Sequence, residues 1–130
     1  MDAETGGDVL VVEDDPDMSA MVGAYAEVAG FSYRAALDGM SALRELKTRR
    51  PALVLLDLML PDIDGFEVYR RLLEDESTRT VPVVILSGLS EDAARARAAN
   101  MGVRAYVTKP FDPDQLILMM TQHAERPGGP

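Results

Sequence analysis

Five side chains in this sequence have the types and positions needed for chemistry, because each follows a short apolar stretch. They are Glu13, Asp14, Asp57, Ser87 and Lys109. Three carboxylates brought close together repel one another unless a cation joins them. An oxygen-rich site of this kind suits Mg²⁺, which binds one or two carboxylates together with waters and phosphate oxygens. The set therefore indicates a metal-assisted reaction at a phosphoryl group.

Charge gives each member of the set a role. The metal and the Lys109 ammonium together cancel the formal charge of three carboxylates, so the site can admit a phosphoryl group that an acidic cluster alone would repel. Asp57 is then the candidate nucleophile, because a carboxylate that attacks phosphorus forms an aspartyl phosphate. Ser87 offers a hydroxyl donor and Lys109 a positive charge to the transferred oxygens.

Asp57 stands out because it ends the unbroken apolar run 52–56 just before a turn rich in Pro and Gly. Such a run is typical of a strand buried on both faces of a parallel sheet, where Asp is rare. The carboxyl ends of strands in open α/β sheets are where ligands bind. Asp57 is therefore predicted to lie where such a sheet keeps its active site.

The elements that position these residues alternate between strand and helix. Strands are predicted at 9–12, 31–36, 52–56, 81–86 and 104–107. Helices are predicted at 16–29, with Asp15 as cap and Gly30 as stop, from the cap Asp38 to about Arg49, at about 65–73 and 91–100, and from the cap Asp112 onward. Asp62 and Asp64 are expected to be turn and cap residues before the third helix. The separations of 43, 30 and 22 residues from Asp14 through Asp57 and Ser87 to Lys109 fit two strand–helix units and then one unit each. This alternation predicts parallel strands with helices on both faces of the sheet.

Composition narrows the function further. The chain has 130 residues, 47% apolar and 27% charged, which fits one globular domain. Its net charge of -9, without a run of Lys or Arg, argues against direct binding to nucleic acid or an anionic membrane. There is no cysteine and no apolar stretch near the roughly 20 residues of a membrane span, so we expect a cytoplasmic protein. The domain is predicted at 8–124, between a disordered extension at 1–7 and a flexible tail at 125–130.

Four motifs in this order resemble a response-regulator receiver domain, over nearly the whole chain from about Val9 to Ala124. They are Val-Val-Glu-Asp-Asp at 11–15, Leu-Leu-Asp-Leu-Met-Leu-Pro-Asp-Ile-Asp-Gly at 55–65, Leu-Ser-Gly at 86–88 and Ala-Tyr-Val-Thr-Lys-Pro-Phe at 105–111. The resemblance implies a flavodoxin-like, doubly wound sheet of five parallel strands in the order 2-1-3-4-5 with five helices. It also implies that Asp57 accepts a phosphoryl group from a sensor histidine kinase or a histidine phosphotransfer protein.

The family pattern assigns further roles. It implies that Asp14 and Asp57 bind Mg²⁺ directly, with Glu13 acting through a water and the backbone carbonyl of Met59 as another ligand. A cis peptide bond between Lys109 and Pro110 is implied as well. Ser87 and Tyr106 become the candidate switch pair, although Tyr106 would also fit as an ordinary half-buried strand residue.

Two features of this chain extend the resemblance. Met59 and Leu89, which flank the path of hydrolytic water in the family, are both apolar here, and this predicts a long-lived phosphorylated state. In the last helix, Leu118 and Met119 lie off the inward stripe of Leu116 and Met120. This suggests that the face formed by helix 4, strand 5 and helix 5 binds a partner or forms a phosphorylation-dependent homodimer. The alternative is that Met119 belongs to the core.

Receivers of winged-helix transcription factors usually have an Asp-Asp-Tyr triplet before the Lys-Pro motif and a basic residue in helix 5. Arg104, Ala105 and Met119 occupy the corresponding positions here. The charged symmetric dimer of those proteins is therefore not expected for this chain, and the output partner stays open.

Two other functions compete with a phosphorylation switch. A phosphatase of the haloacid dehalogenase type also has a nucleophilic Asp after a strand, but it needs a second Asp two residues later, where this chain has Met59. A degenerate receiver would bind a partner without phosphorylation, but it would not need the complete set of acids, Ser87 and Lys109. The chain is therefore predicted to catalyse only its own phosphorylation and slow dephosphorylation.

Overall fold

The computed structural model describes residues 7–88 and 92–125, in which strands and helices alternate without exception. The strands are β1 (Asp8–Val12), β2 (Ser32–Ala36), β3 (Leu53–Asp57), β4 (Val83–Ser87) and β5 (Ala105–Thr108). The helices are α1 (Pro16–Val28), α2 (Gly39–Thr48), α3 (Gly65–Glu74), α4 (Asp92–Met101) and α5 (Pro113–His123). The predicted first residue of the fourth helix, Glu91, lies outside the described residues.

The five strands form one parallel sheet in the order β2-β1-β3-β4-β5, as predicted. This is the doubly wound, flavodoxin-like fold. Each strand differs from the prediction by one or two residues in at least one bound. Two of these differences concern the site, because Asp57 and Ser87 are the last residues of β3 and β4 rather than the first residues after them. Ser87 pairs in register with Thr108 of β5. Both side chains are therefore placed by the sheet itself, which makes their positions less free than those of loop residues.

The core has two layers because the central strands are buried on both faces. Alternate residues of β1, β3 and β4 point to opposite sides of the sheet, as strand geometry requires. One layer includes Leu10, Val12, Val54, Leu56 and Ile85, and the other includes Val9, Val11, Leu53, Leu55, Val84 and Leu86. Burial on both faces explains why these strands appear in the sequence as unbroken apolar runs.

Acidic caps start the helices α1, α2, α3 and α5. The side chains that accept backbone N–H groups in the first turn are those of Asp15, Asp38, Asp64 and Asp112. Each satisfies donors that have no partner within the helix, and its charge suits the positive end of the helix dipole. The caps predicted at Asp15, Asp38 and Asp112 are confirmed. Gly30, predicted to stop α1, has a φ of 98°, a backbone conformation that glycine adopts readily.

The packed region extends one residue beyond the predicted domain at each end. The Gly7 carbonyl accepts a hydrogen bond from the Ser32 amide, and the Glu125 amide donates to the Ala52 carbonyl. The Glu125 carboxylate also forms a two-pronged ion pair with the Arg50 guanidinium. Gly7 and Glu125 therefore take part in the hydrogen-bonded structure on either side of 8–124, and the remaining end residues lie outside the described part. Among the described residues, no helix is long and apolar enough to cross a membrane.

Candidate functional site

The ammonium of Lys109 lies between two buried carboxylates at the carboxyl edge of the sheet. Its Nζ is 2.6 Å from Glu13 Oε1 and 3.1 Å from Asp57 Oδ2. Glu13 follows β1, Asp57 ends β3 and Lys109 follows β5, so three separate strands deliver the charges to one place. Only 3% of Glu13 and 4% of Asp57 is exposed. Carboxylates so far from water need a cation, and Lys109 provides one.

Burial and pairing act in opposite directions on the ionisation of this cluster. Burial raises the pKa of Glu13 above its ordinary value, and the nearby Asp57 charge adds to this, while Lys109 and the Asp15 amide oppose it. For Lys109, burial alone would lower the pKa, but the hydrogen bonds to Glu13 and Asp57 outweigh it and raise the pKa. Lys109 therefore stays protonated at neutral pH.

A third carboxylate completes the cluster from the exposed side. Glu13, Asp14 and Asp57 each offer a carboxylate oxygen, and these oxygens all lie within 4.8 Å of one another. Asp14 is exposed, whereas the other two are buried. Three carboxylates and one ammonium leave a formal charge of about -2 on an all-oxygen donor set, which fits a hard divalent cation such as Mg²⁺.

Ser87 lies beside the cluster and its backbone is bonded to that of Lys109. The Ser87 side chain is fully buried at the end of β4. The amide of Lys109 donates to the Ser87 carbonyl over 2.7 Å, and the peptide bond from Lys109 to Pro110 is cis, as the family resemblance implied. The sheet register therefore brings the hydroxyl and the ammonium to the same edge as Asp57.

Asp57 is also held by the residues that follow it. Its Oδ1 accepts the Met59 amide at 3.0 Å, so the second carboxylate oxygen is the one that faces Lys109. Gly65, the first residue of α3, packs directly behind this segment. A Cβ at Gly65 would lie 2.5 Å from the Asp57 carbonyl oxygen and 2.7 Å from the Leu58 Cα. Only glycine lets the start of α3 approach β3 so closely.

Tyr106 lies in the middle of β5 and contacts α4. The guanidinium of Arg95 is stacked on its ring at 4.8 Å from the centroid, a typical cation–π distance. The ring is partly buried and packs against the core layer that includes Ile85. This contact could not be predicted from the sequence, because α4 has two basic residues, Arg95 and Arg97, and little amphipathic pattern to distinguish them.

The other predicted residues differ in their exposure. Leu118 is 55% exposed on α5, as expected. Met119 is partly buried and packs against the core layer that includes Leu116 and Met120, so the alternative assignment of Met119 to the core is closer to what is observed. Leu89 lies outside the described residues. Met59, at 61% exposure, stands at the mouth of the site.

One contact near the site was missed entirely. Asp62, predicted as a turn residue of the loop after β3, accepts the Gly39 and Met40 amides at the start of α2, at 2.8 and 2.9 Å. Asp64 fulfils its predicted role as the cap of α3. The pairing of Asp62 with α2 could not be read from the sequence, since 22 residues separate Met40 from Asp62 and a local cap, Asp38, already precedes the helix.

Comparison with known proteins agrees with this geometry. The family model for the response regulator receiver domain matches residues 9–121. The chain belongs to this family. The receiver is 30% identical to the solved receiver domain of the Francisella response regulator 1452, with a TM-score of 0.82 over 88% of this chain and 93% of that one.

Curated relatives of the receiver include longer transcriptional regulators. It is 37% identical over 84% of its length to the DNA-binding dual master transcriptional regulator RpaA of Synechocystis, of which the match covers 45%. It is 38% identical over 84% of its length to the phosphate regulon transcriptional regulatory protein PhoB of Escherichia coli, of which the match covers 48%. The receiver thus spans about half the length of these relatives.

The close approach of Gly65 to β3 yields a direct test. Gly65→Ala should lower the free energy of unfolding by about 1 to 3 kcal/mol, because the new methyl group meets backbone that cannot move aside. Urea denaturation measures this. Gly88→Ala is the matched control, since no heavy atom lies within 4 Å of a Cβ there, and it should stay within about 0.5 kcal/mol of wild type. Equal stability of the two variants would contradict the packing described for Gly65.

Proposed function

We propose that this receiver is a phosphorylation-activated signalling switch in which Asp57 accepts a phosphoryl group with the help of Mg²⁺. The observation that carries the proposal is the arrangement of three carboxylate oxygens within 4.8 Å of one another, with Lys109 bonded to two of the three groups. Three carboxylates and one ammonium leave a net negative charge that a divalent cation would balance. The phosphodonor is proposed to be a sensor histidine kinase or a histidine phosphotransfer protein.

In the transfer step, one carboxylate oxygen of Asp57 attacks phosphorus in line with the leaving group. A new P–O bond forms, the P–N bond of the phosphohistidine breaks, and its electron pair stays with the histidine nitrogen. Asp57 Oδ2, which faces Lys109, is the suitable oxygen, because Oδ1 accepts the Met59 amide. Lys109 then gives up one of its two carboxylate contacts and binds the transferred phosphoryl oxygens instead.

Mg²⁺, when bound, supplies positive charge to the equatorial phosphoryl oxygens. The residues proposed to hold it are Asp14 and Asp57, with the Met59 carbonyl as a further ligand and Glu13 acting through a water. This division agrees with the exposure of Asp14 and with the position of the Lys109 ammonium, which is 2.6 Å from Glu13 and 3.1 Å from Asp57.

The output is proposed to pass through Ser87 and Tyr106. The Ser87 hydroxyl would donate a hydrogen bond to the phosphoryl group. This would change the space that the Tyr106 side chain, on the neighbouring strand, can occupy. The face formed by α4, β5 and α5, with Leu118 exposed on it, is the proposed partner surface. A partner protein or a phosphorylation-dependent second copy would read this change. RpaA and PhoB, by their names, act on transcription, and their additional length leaves room for an output domain.

Phosphorylation can be tested by incubating the protein with Mg²⁺ and acetyl phosphate and measuring the intact mass. We expect one phosphoryl group on the wild type and none on Asp57→Asn, because the amide is a poor nucleophile. The addition should also disappear when the metal is removed with a chelator.

Three outcomes would contradict the proposed switch. An unmodified wild type would favour a degenerate receiver that binds its partner without phosphorylation. The same added mass on Asp57→Asn would place the acceptor elsewhere. Sustained release of phosphate from many small phosphoesters would instead indicate a phosphatase.

The lifetime of the phosphorylated state depends on the side chains at the mouth of the site. Met59→Asn should accelerate the loss of phosphate several-fold, because an amide can orient the attacking water and the thioether cannot. The decay of the added mass after removal of the donor measures this. Val28→Asn is the matched control, an exposed apolar residue at the end of α1, and should decay like wild type. Unchanged decay in Met59→Asn would contradict the role proposed for Met59.

A further inference from the structure

The loop that follows Asp57 is fastened to a distant helix end. Asp62 Oδ1 accepts the Gly39 amide at 2.8 Å, and Oδ2 accepts the Met40 amide at 2.9 Å. Both carboxylate oxygens are used, so the side chain bridges residues 58–64 to the first turn of α2. The positive end of the helix dipole strengthens hydrogen bonds from these amides to an anion.

The helix does not need Asp62 as its local cap. Asp38 already holds the first turn, because its carboxylate accepts the Ser41 amide at 2.7 Å. The Ile63 side chain also packs against Gly39, the first residue of α2. The packing is so close that a Cβ added at Gly39 would lie 2.5 Å from Ile63 Cγ1. Two neighbouring loop residues, Asp62 and Ile63, thus meet the same point of α2.

The bridge is important because burial secures little of this loop. Met59, Pro61 and Asp62 are exposed, and Leu60 and Ile63 are only partly buried. The loop also forms hydrogen bonds at its two ends, where the Met59 amide donates to Asp57, the Gly65 amide donates to the Leu58 carbonyl and Asp64 caps α3. An exposed loop with few fixed points samples many conformations unless a specific contact removes them. Asp62 provides that contact between the two ends.

We propose that Asp62 is a positioning residue for the metal site. By joining the loop to α2, it holds Met59, three residues earlier in the chain, in the place where its carbonyl can complete the oxygen set of Asp14 and Asp57. The inference rests on the proposed function, because it concerns the same metal site. Asp62 is not one of the three clustered carboxylates, and its role is carried by the path of the backbone.

The test compares two variants that each remove an acidic partner of the first turn of α2. Asp62→Ala breaks the bridge, whereas Asp38→Ala, the matched control, removes a cap that does not involve the loop. Calorimetric titration with Mg²⁺ should show an affinity about tenfold weaker for Asp62→Ala, the low end of the effect seen for residues that orient metal ligands. Asp38→Ala should bind within about twofold of wild type, although both variants lose stability.

A second measurement needs no metal. Amide hydrogen exchange at Met59 should be faster in metal-free Asp62→Ala than in wild type, and unchanged in Asp38→Ala. Equal Mg²⁺ affinity and equal Met59 exchange in the two alanine variants would overturn the proposal. A wild type that binds no Mg²⁺ would contradict the proposed function instead, and the exchange comparison would still support or overturn the bridge.

Asp62→Asn separates position from charge. The amide side chain is neutral but retains one acceptor for the start of α2. The proposal predicts slower Met59 exchange and tighter Mg²⁺ binding in Asp62→Asn than in Asp62→Ala. If both variants weakened Mg²⁺ binding equally and left Met59 exchange as in wild type, the effect would be that of a lost negative charge, and the positioning role would be wrong.

Discussion

The contact between Lys109, Glu13 and Asp57 is the interaction on which the site depends. Two carboxylates buried to this degree would be costly without a cation, and the bridging ammonium makes their burial tolerable. Asp14 adds a third carboxylate from the exposed side, so the cluster keeps a net negative charge. Because of this remaining charge, the site suits a divalent cation. Once the cation is present, the site can also accept a dianionic phosphoryl group.

The sheet explains how these charges come to one place. In a parallel sheet all strands end at the same edge, and here β1, β3, β4 and β5 bring one or more polar side chains each to it. The central strands are buried on both faces, which makes their ends rigid. The loop after β3 is the exception, because it is mostly exposed and is joined to α2 through Asp62. The site therefore combines rigid strand ends with one loop held by specific hydrogen bonds.

Much of this arrangement could be predicted from the sequence. Burial of the strands on both faces leaves apolar runs that are easy to recognise, and Asp15, Asp38 and Asp112 mark helix starts by local hydrogen bonding. The site residues followed from the rule that parallel strands end together. The contacts that were not predicted join distant positions through side-chain geometry. Asp62 with α2, Arg95 with Tyr106 and the bidentate pairing of Arg50 with Glu125 are examples, and Met119 shows that helix phase alone does not decide exposure.

The charge balance of the cluster is tested most directly by calorimetric titration of Mg²⁺ into wild type and Lys109→Met. Methionine keeps much of the apolar stem of lysine but removes the competing ammonium. Our account predicts that the wild type binds Mg²⁺ and that Lys109→Met binds it more tightly, because the metal then meets carboxylates that have lost their other cation. Weaker binding by Lys109→Met, or no binding by the wild type, would contradict it.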